Sequence, residues 1–238
     1  MSTAAAPGRL AYLDGLRGVA IGLVLGFHYF TCFQALVPWG GVWAGLAPFR
    51  WGHHGVDLFF AISGCVICLT LARCRHVGEF AWRRWARLWP TLLLCSGLSF
   101  AVLRSVPGPW VPRAVDFLPS LTMTDPMVWN RWVPGLQSGW IDVAYWSLFA
   151  EWRFYAIAAL LWWAGPAAFH RRFALLSGVA VTGLIALSAA GALRQAEWLQ
   201  WALAARHLPW FLAGLAAERQ LAGAGRSAAT LEIGRAHV

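Results

Sequence analysis

Lysine is missing from this 238-residue chain: its 19 basic residues are all arginine, set against 10 acidic ones. With abundant alanine and 24 glycines, that bias reads as GC-rich coding more than as a surface built for binding. Charge of either sign is scarce at 12%, while hydrophobic residues reach 59% and the mean hydropathy is +0.56. Such a chain cannot coat a globule with polar groups, which excludes a soluble domain. A cleavable leader is also missing, because the first apolar run is long and lacks a small-x-small exit; it reads as a retained anchor. Cys65 and Cys68 have CxxC spacing but no second pair, and Cys32, Cys74 and Cys95 likewise lie in or beside apolar segments, so packing is the expected role. No internal repeat is evident, which gives an inverted-repeat transporter no support.

What is present is a series of membrane-length apolar runs. Six are expected, at about 16–37, 56–71, 88–106, 141–164, 173–193 and 208–222, giving an all-α, polytopic transmembrane bundle. Seventeen tryptophans, many near the ends of these runs, suit interfacial belts. The net charge of +9 would suit nucleic acid, but the arginines cluster in short connections. Positive-inside topology explains them, so no nucleic-acid partner is expected. The 72–87 connection and His170-Arg171-Arg172 lie on one side with the N-terminus, while Arg50, Arg113, Arg131 and Arg194 are dispersed over the other. The N-terminus is therefore expected in the cytoplasm. Residues 107–140, with six prolines, read as an ordered outer loop, and residues 194–206 as a polar outer turn. Pro90 reads as a first-turn proline of the third span.

The first run carries the sharpest chemical signal. Eleven residues separate Arg17 from His28, so the two side chains point within about 20° of one another, about 16 Å apart along the axis. A cation then lies at the membrane face and a titratable ring near mid-depth. Such a ring is either a proton-handling group or a histidine bonded to a neighbouring helix. Gly18, Gly22 and Gly26 form a small-residue ridge beside this line, expected to admit another helix closely. Asp14 is placed to pair with Arg17 or cap the helix. Asp57 and Glu151, in the outer half, are candidates to hold the His28 ring as it takes a proton. Glu151 shares a helix face with Ser147 and Tyr155, and its alternative is an interhelical hydrogen bond. For Asp57 the alternative is a helix-start role. Arg83, Arg84 and Arg87 could grip phosphates through guanidinium forks, or reflect topology alone.

Four segments, in order, resemble the membrane-bound acyltransferase 3 family. They are Leu13-Asp14-Gly15-Leu16-Arg17-Gly18 with ten residues between Arg17 and His28, Gly55 to Gly64 (GVDLFFAISG), Arg83 to Pro90 (RRWARLWP), and Trp146 to Tyr155 (WSLFAEWRFY). The resemblance implies a transferase of groups other than amino-acyl groups, carrying acyl, commonly acetyl, from cytoplasmic acyl-CoA to a hydroxyl of an exported or lipid-linked carbohydrate. It implies a multi-pass protein of the bacterial cytoplasmic (inner) membrane, with membrane lipids around it and no permanently bound cofactor or metal. His28 would be base or acyl relay, Arg17 would act on the donor side, and Arg83, Arg84 and Arg87 would contact CoA phosphates. The chain departs at Trp152 and Arg153, where many members carry a second Glu and a Gln.

Members have about ten spans, so residues 1–222 read as the N-terminal part of such a domain, with a tail at 223–238. The last seven residues, 232–238, resemble a translated sequencing adapter. The competing readings are a proton-coupled transporter relaying through His28, Glu151 and Asp57, or an inactive truncated fragment.

Overall fold

The computed structural model describes residues 11–39, 41–106, 108 and 111–235, with side-chain surroundings described from residue 12 to 221. Residues 1–10 lie outside them, and the expected adapter-like end is described only as backbone, through Arg235. The described chain is all helix. Ten α-helices follow in order: α1 (Ala11–Phe27), α2 (Ala47–Arg50), α3 (His54–Ala72), α4 (Val77–Ser105), α5 (Leu118–Thr122), α6 (Pro126–Trp132), α7 (Trp146–Trp163), α8 (Phe169–Ala189), α9 (Leu193–Leu203) and α10 (Leu208–Arg235). A π-turn over His28–Cys32 extends α1.

Among the described residues, four helical stretches are long and apolar enough to cross a membrane: Tyr12–Cys32, His54–Ala72, Val77–Ser105 and Pro166–Ala189. The fourth expected run falls on α7, which is 18 residues long and made more polar by Glu151, Arg153 and four tryptophans. On α4 the exposed Leu94, Leu98 and Val102 recur every four residues, a stripe suited to lipid tails rather than water. On α8, Leu175, Val179 and Ile185 are likewise exposed, the first two one turn apart.

Three expectations are corrected. Pro90 lies inside α4, not in its first turn, because the helix begins thirteen residues earlier at Val77. His76 causes that early start: its Nδ1 accepts from the Glu79 backbone N–H at 3.1 Å, while the Glu79 carboxylate accepts from the Arg75 N–H at 2.8 Å. The basic segment is therefore helical and continuous with the span. Residues 194–206 form most of a helix, α9, rather than a polar turn. The glycine ridge of α1 admits a neighbour at one end alone: Gly18 and Gly22 face open space, while a Cβ on Gly26 would lie 2.8 Å from the Phe49 side chain of α2.

The chain divides into two compact units. The first comprises Met1–Cys68, Ala174–Thr182 and Ala205–Val238. In it α1 buries Leu13 and Ala20 and receives the start of α3, where a Cβ on Gly55 would lie 2.5 Å from the Ala20 carbonyl oxygen. Arg17, Val24 and His28 sit along the same stripe, so the polar line and the packed face of α1 coincide. Further along α3, Gly64 meets the Phe211 backbone, and Gly214 of α10 meets the backbone of Ala61 and Cys65. Any side chain at either glycine would strike main chain, so each helix notches the other.

The second unit comprises Leu69–Phe173 and Gly183–Ala204. Its core joins Leu92 of α4 and Phe149 of α7 to Met123, Ile141 and Tyr145 from the connection between them. The proline-rich segment, expected as a loop, is largely helical over 114–132, and polar contacts hold it in place. Asp116 accepts from the backbone N–H groups of Arg113 (2.7 Å) and Gly139 (2.8 Å), and Asn130 exchanges two hydrogen bonds with the Ser138 backbone. Ser96 of α4 donates to Ser120 at 2.8 Å. No disulfide forms among the described residues; Cys65 and Cys68 are buried.

Candidate functional site

In the first unit the polar groups gather around the start of α3. Arg17 donates to Asp14 at 2.8 Å, so that pair forms within α1. His28 opens the π-turn, half-buried, with its ring edge-on to Phe27 at 5.4 Å. Its Nδ1 lies 2.8 Å from the Val24 carbonyl oxygen. A carbonyl can only accept, so Nδ1 carries the proton, an arrangement that places the free lone pair of a neutral imidazole on Nε2. The π-turn, a local widening often found at functional positions, makes this bond part of the helix ending. Thr31, three residues on, has a buried hydroxyl with no hydrogen-bond partner among the described residues.

Phe27 also contacts the His53 ring at 5.3 Å, and His53 lies 4.1 Å from His54, centroid to centroid. Asp57, in the first turn of α3, pairs with His54 at 2.7 Å and faces His207 at 3.7 Å. His207 precedes α10 and packs on Phe60 at 5.0 Å. Burial pushes its pKa below the ordinary imidazole value, against the opposing pull of Asp57. Of the two readings of Asp57, the helix-start position is the one seen; the expected contact with the His28 ring is not, and Asp57 holds other imidazoles instead. The imidazoles are His54 and His207; His28 and Asp57 share no hydrogen bond among the described residues.

In the second unit the arginines of α4 divide by exposure. Arg83 is exposed and pairs with Glu79 at 2.6 Å, and Arg87 is exposed one turn further on. Arg84 is only 3% exposed. Its guanidinium stacks over Tyr155 at 4.7 Å and Phe80 at 5.5 Å, donates to the Thr70 hydroxyl, and leaves Nε without a partner. Tyr155 in turn donates to the Glu151 carboxylate. The line Arg84, Tyr155, Glu151 therefore runs from α4 into α7 as one buried polar column.

The family model for the acyltransferase domain (acyltransferase 3) matches residues 10–223. The chain belongs to this acyltransferase family. No curated protein and no solved structure matches it. Within this acyltransferase, the matched stretch holds every site residue expected from the sequence: Arg17, His28, Asp57, Arg83, Arg84, Arg87 and Glu151.

Sequence reasoning missed several residues of the acyltransferase. His54 was detectable, three residues ahead of Asp57 on the same helix. His207 carried no signal, because 150 positions separate it from Asp57. Arg153, at the position that departs from the family pattern, is ion-paired with Asp125 at 3.0 Å and stacks on Trp201 at 5.1 Å. It works as a brace between α7 and its surroundings.

Proposed function

We propose that this chain acts as a membrane O-acyltransferase, moving an acyl group, acetyl in the simplest case, from cytoplasmic acyl-CoA to a hydroxyl of a cell-envelope or exported carbohydrate. The observation that supports it best is the His28 ring, held by its own helix in the tautomer that leaves Nε2 free to take a proton. In this reading the acceptor hydroxyl gives its proton to Nε2 as its oxygen attacks the thioester carbonyl. The tetrahedral intermediate then expels the CoA sulfur, and the imidazolium returns the proton to it. The Val24 carbonyl fills the orienting role that a carboxylate fills in other histidine-based sites.

Arg17 would lie toward the donor, and the exposed Arg83 and Arg87 would meet the CoA phosphates from the cytoplasmic face of a bacterial inner membrane. Arg84 would hold the Tyr155–Glu151 column in place. The test is acyl transfer in membranes from radiolabelled acyl-CoA. His28→Ala is expected to lower turnover by about 10²–10⁴-fold with membrane expression intact. Transfer at the parent rate by that variant would overturn the role given to His28.

A further inference from the structure

The second unit holds a candidate site of its own. Met127, Val128, Arg131 and Trp132 of α6 face Trp198 and Trp201 of α9 across a cavity of about 530 Å³. That is within the usual range of about 300–1,000 Å³ for small-molecule sites. The α6 residues fall at i, i+1, i+4 and i+5, so one face of a short helix forms a whole wall.

The walls are braced from behind. Asp125 caps α6 by accepting from the Met127 N–H at 2.9 Å and, through its other oxygen, receives Arg153 at 3.0 Å. Arg153 stacks on Trp201, which meets Trp198 edge-on at 5.3 Å. One carboxylate thus ties both walls together, and the indoles are held in place before anything binds.

Two of the lining residues carry polar groups with no partner among the described residues. The Trp201 Nε1 is buried without a hydrogen-bond partner, a donor that costs free energy unless something accepts from it. Arg131 forms no ion pair or hydrogen bond among the described residues. Trp132 is 79% exposed, an indole face of unusual size left open to solvent beside a cavity. Flat indole faces suit the C–H faces of a pyranose ring, a buried N–H suits a ring hydroxyl, and an unpaired guanidinium fork suits a carboxylate.

We infer that this cavity binds the acceptor as a sugar ring bearing a carboxylate, stacked on Trp132 and Trp198, with its acid on Arg131 and a hydroxyl on Trp201 Nε1. This names the acceptor of the reaction proposed above and rests on that reading. It goes beyond it in assigning a place and a charge to the substrate.

The test measures binding alone, without acyl-CoA, on the full chain in phosphatidylcholine nanodiscs, which carry no sugar headgroup. A glucuronate-terminated trisaccharide and its neutral glucose counterpart are titrated while tryptophan fluorescence and heat are followed. Saturable binding is expected, tighter for the acidic sugar by at least tenfold. Trp132→Ala and Trp198→Ala each weaken it tenfold or more, Trp201→Phe weakens it severalfold while keeping the stack, and Arg131→Gln removes the acidic preference. Absence of saturable binding by the parent chain overturns the inference. So does binding untouched by Trp132→Ala and Trp198→Ala, or an acidic preference that survives Arg131→Gln. A Trp132→Ala effect on insertion into lipid with no sugar binding overturns it too, by making these indoles interfacial anchors. A parent that binds the sugar but transfers no acyl group fails the function and spares the site; one that acylates without such binding does the reverse.

Discussion

Replacing Arg84 separates what its charge does from what its bulk does. Two ring faces at 4.7 and 5.5 Å, desolvated, favour the guanidinium by about 2 kcal/mol each. The charged hydrogen bond to Thr70 adds about 1.5–3 kcal/mol. Against these stand several kcal/mol for burying a charge with no carboxylate in ion-pair contact. The orphaned Nε–H costs about 1–3 kcal/mol more. The terms nearly cancel. Arg84→Met keeps the length and the contact with both rings while deleting the charge, so it should shift stability by less than about 2 kcal/mol in either direction. Arg84→Ala also opens a hole beneath Tyr155 and should cost about 2–5 kcal/mol. Unfolding in mixed micelles with rising dodecyl sulfate, read by tryptophan fluorescence, ranks the two. If Arg84→Met is as damaging as Arg84→Ala, the charge itself is indispensable and the reasoning fails.

Arg83→Gln combined with Arg87→Gln should raise KM for acyl-CoA severalfold and leave kcat near the parent value; an unchanged KM would remove both from donor binding. Gly214→Val drives a branched side chain into the Ala61 and Cys65 backbone. It should cost at least about 1–3 kcal/mol, seen as a lower unfolding midpoint, whereas Gly178→Ala, with open space around it, should not. His207 has its folded-state pKa lowered by burial, so its contribution is fully present above about pH 6.5, its unfolded value, and is lost as the pH falls through the folded one. The melting temperature should therefore decline below pH 6.5, and His207→Gln should flatten that decline.

Much of this was legible in the chain. Helical class, the places of α1, α3 and α8, and the order in the proline-rich connection followed from hydropathy, spacing and turn chemistry. The start of α4 did not, because the His76–Glu79 cap outweighed the run of arginines that reads as a loop. The glycine ridge misled for a related reason. A small-residue pattern shows that close approach is possible on a face but not how much of it is used: here Gly26 alone of the three is met, and the helix-to-helix approaches fall at Gly55, Gly64 and Gly214. The shared helix face of Arg17 and His28 was legible from their spacing. Their surroundings were not: the Val24 bond depends on the His28 rotamer, and the His207–Asp57 contact depends on how α10 returns to α3. Arg84 looks like its neighbours in sequence and differs only by facing inward.

The two reciprocal notches between α3 and α10 restrict how these helices can move. Sliding either along the other by one residue would push a side chain into main chain at Gly64 or Gly214, so translation is blocked in both directions. Rotation about the crossing remains, which makes the joint a pivot rather than a track. His207 sits seven residues from Gly214, a lever arm of about 10 Å. A tilt of about 10° would then move its ring by almost 2 Å on that arm. That is enough to close the 3.7 Å gap to Asp57 into a full hydrogen bond or to break the contact.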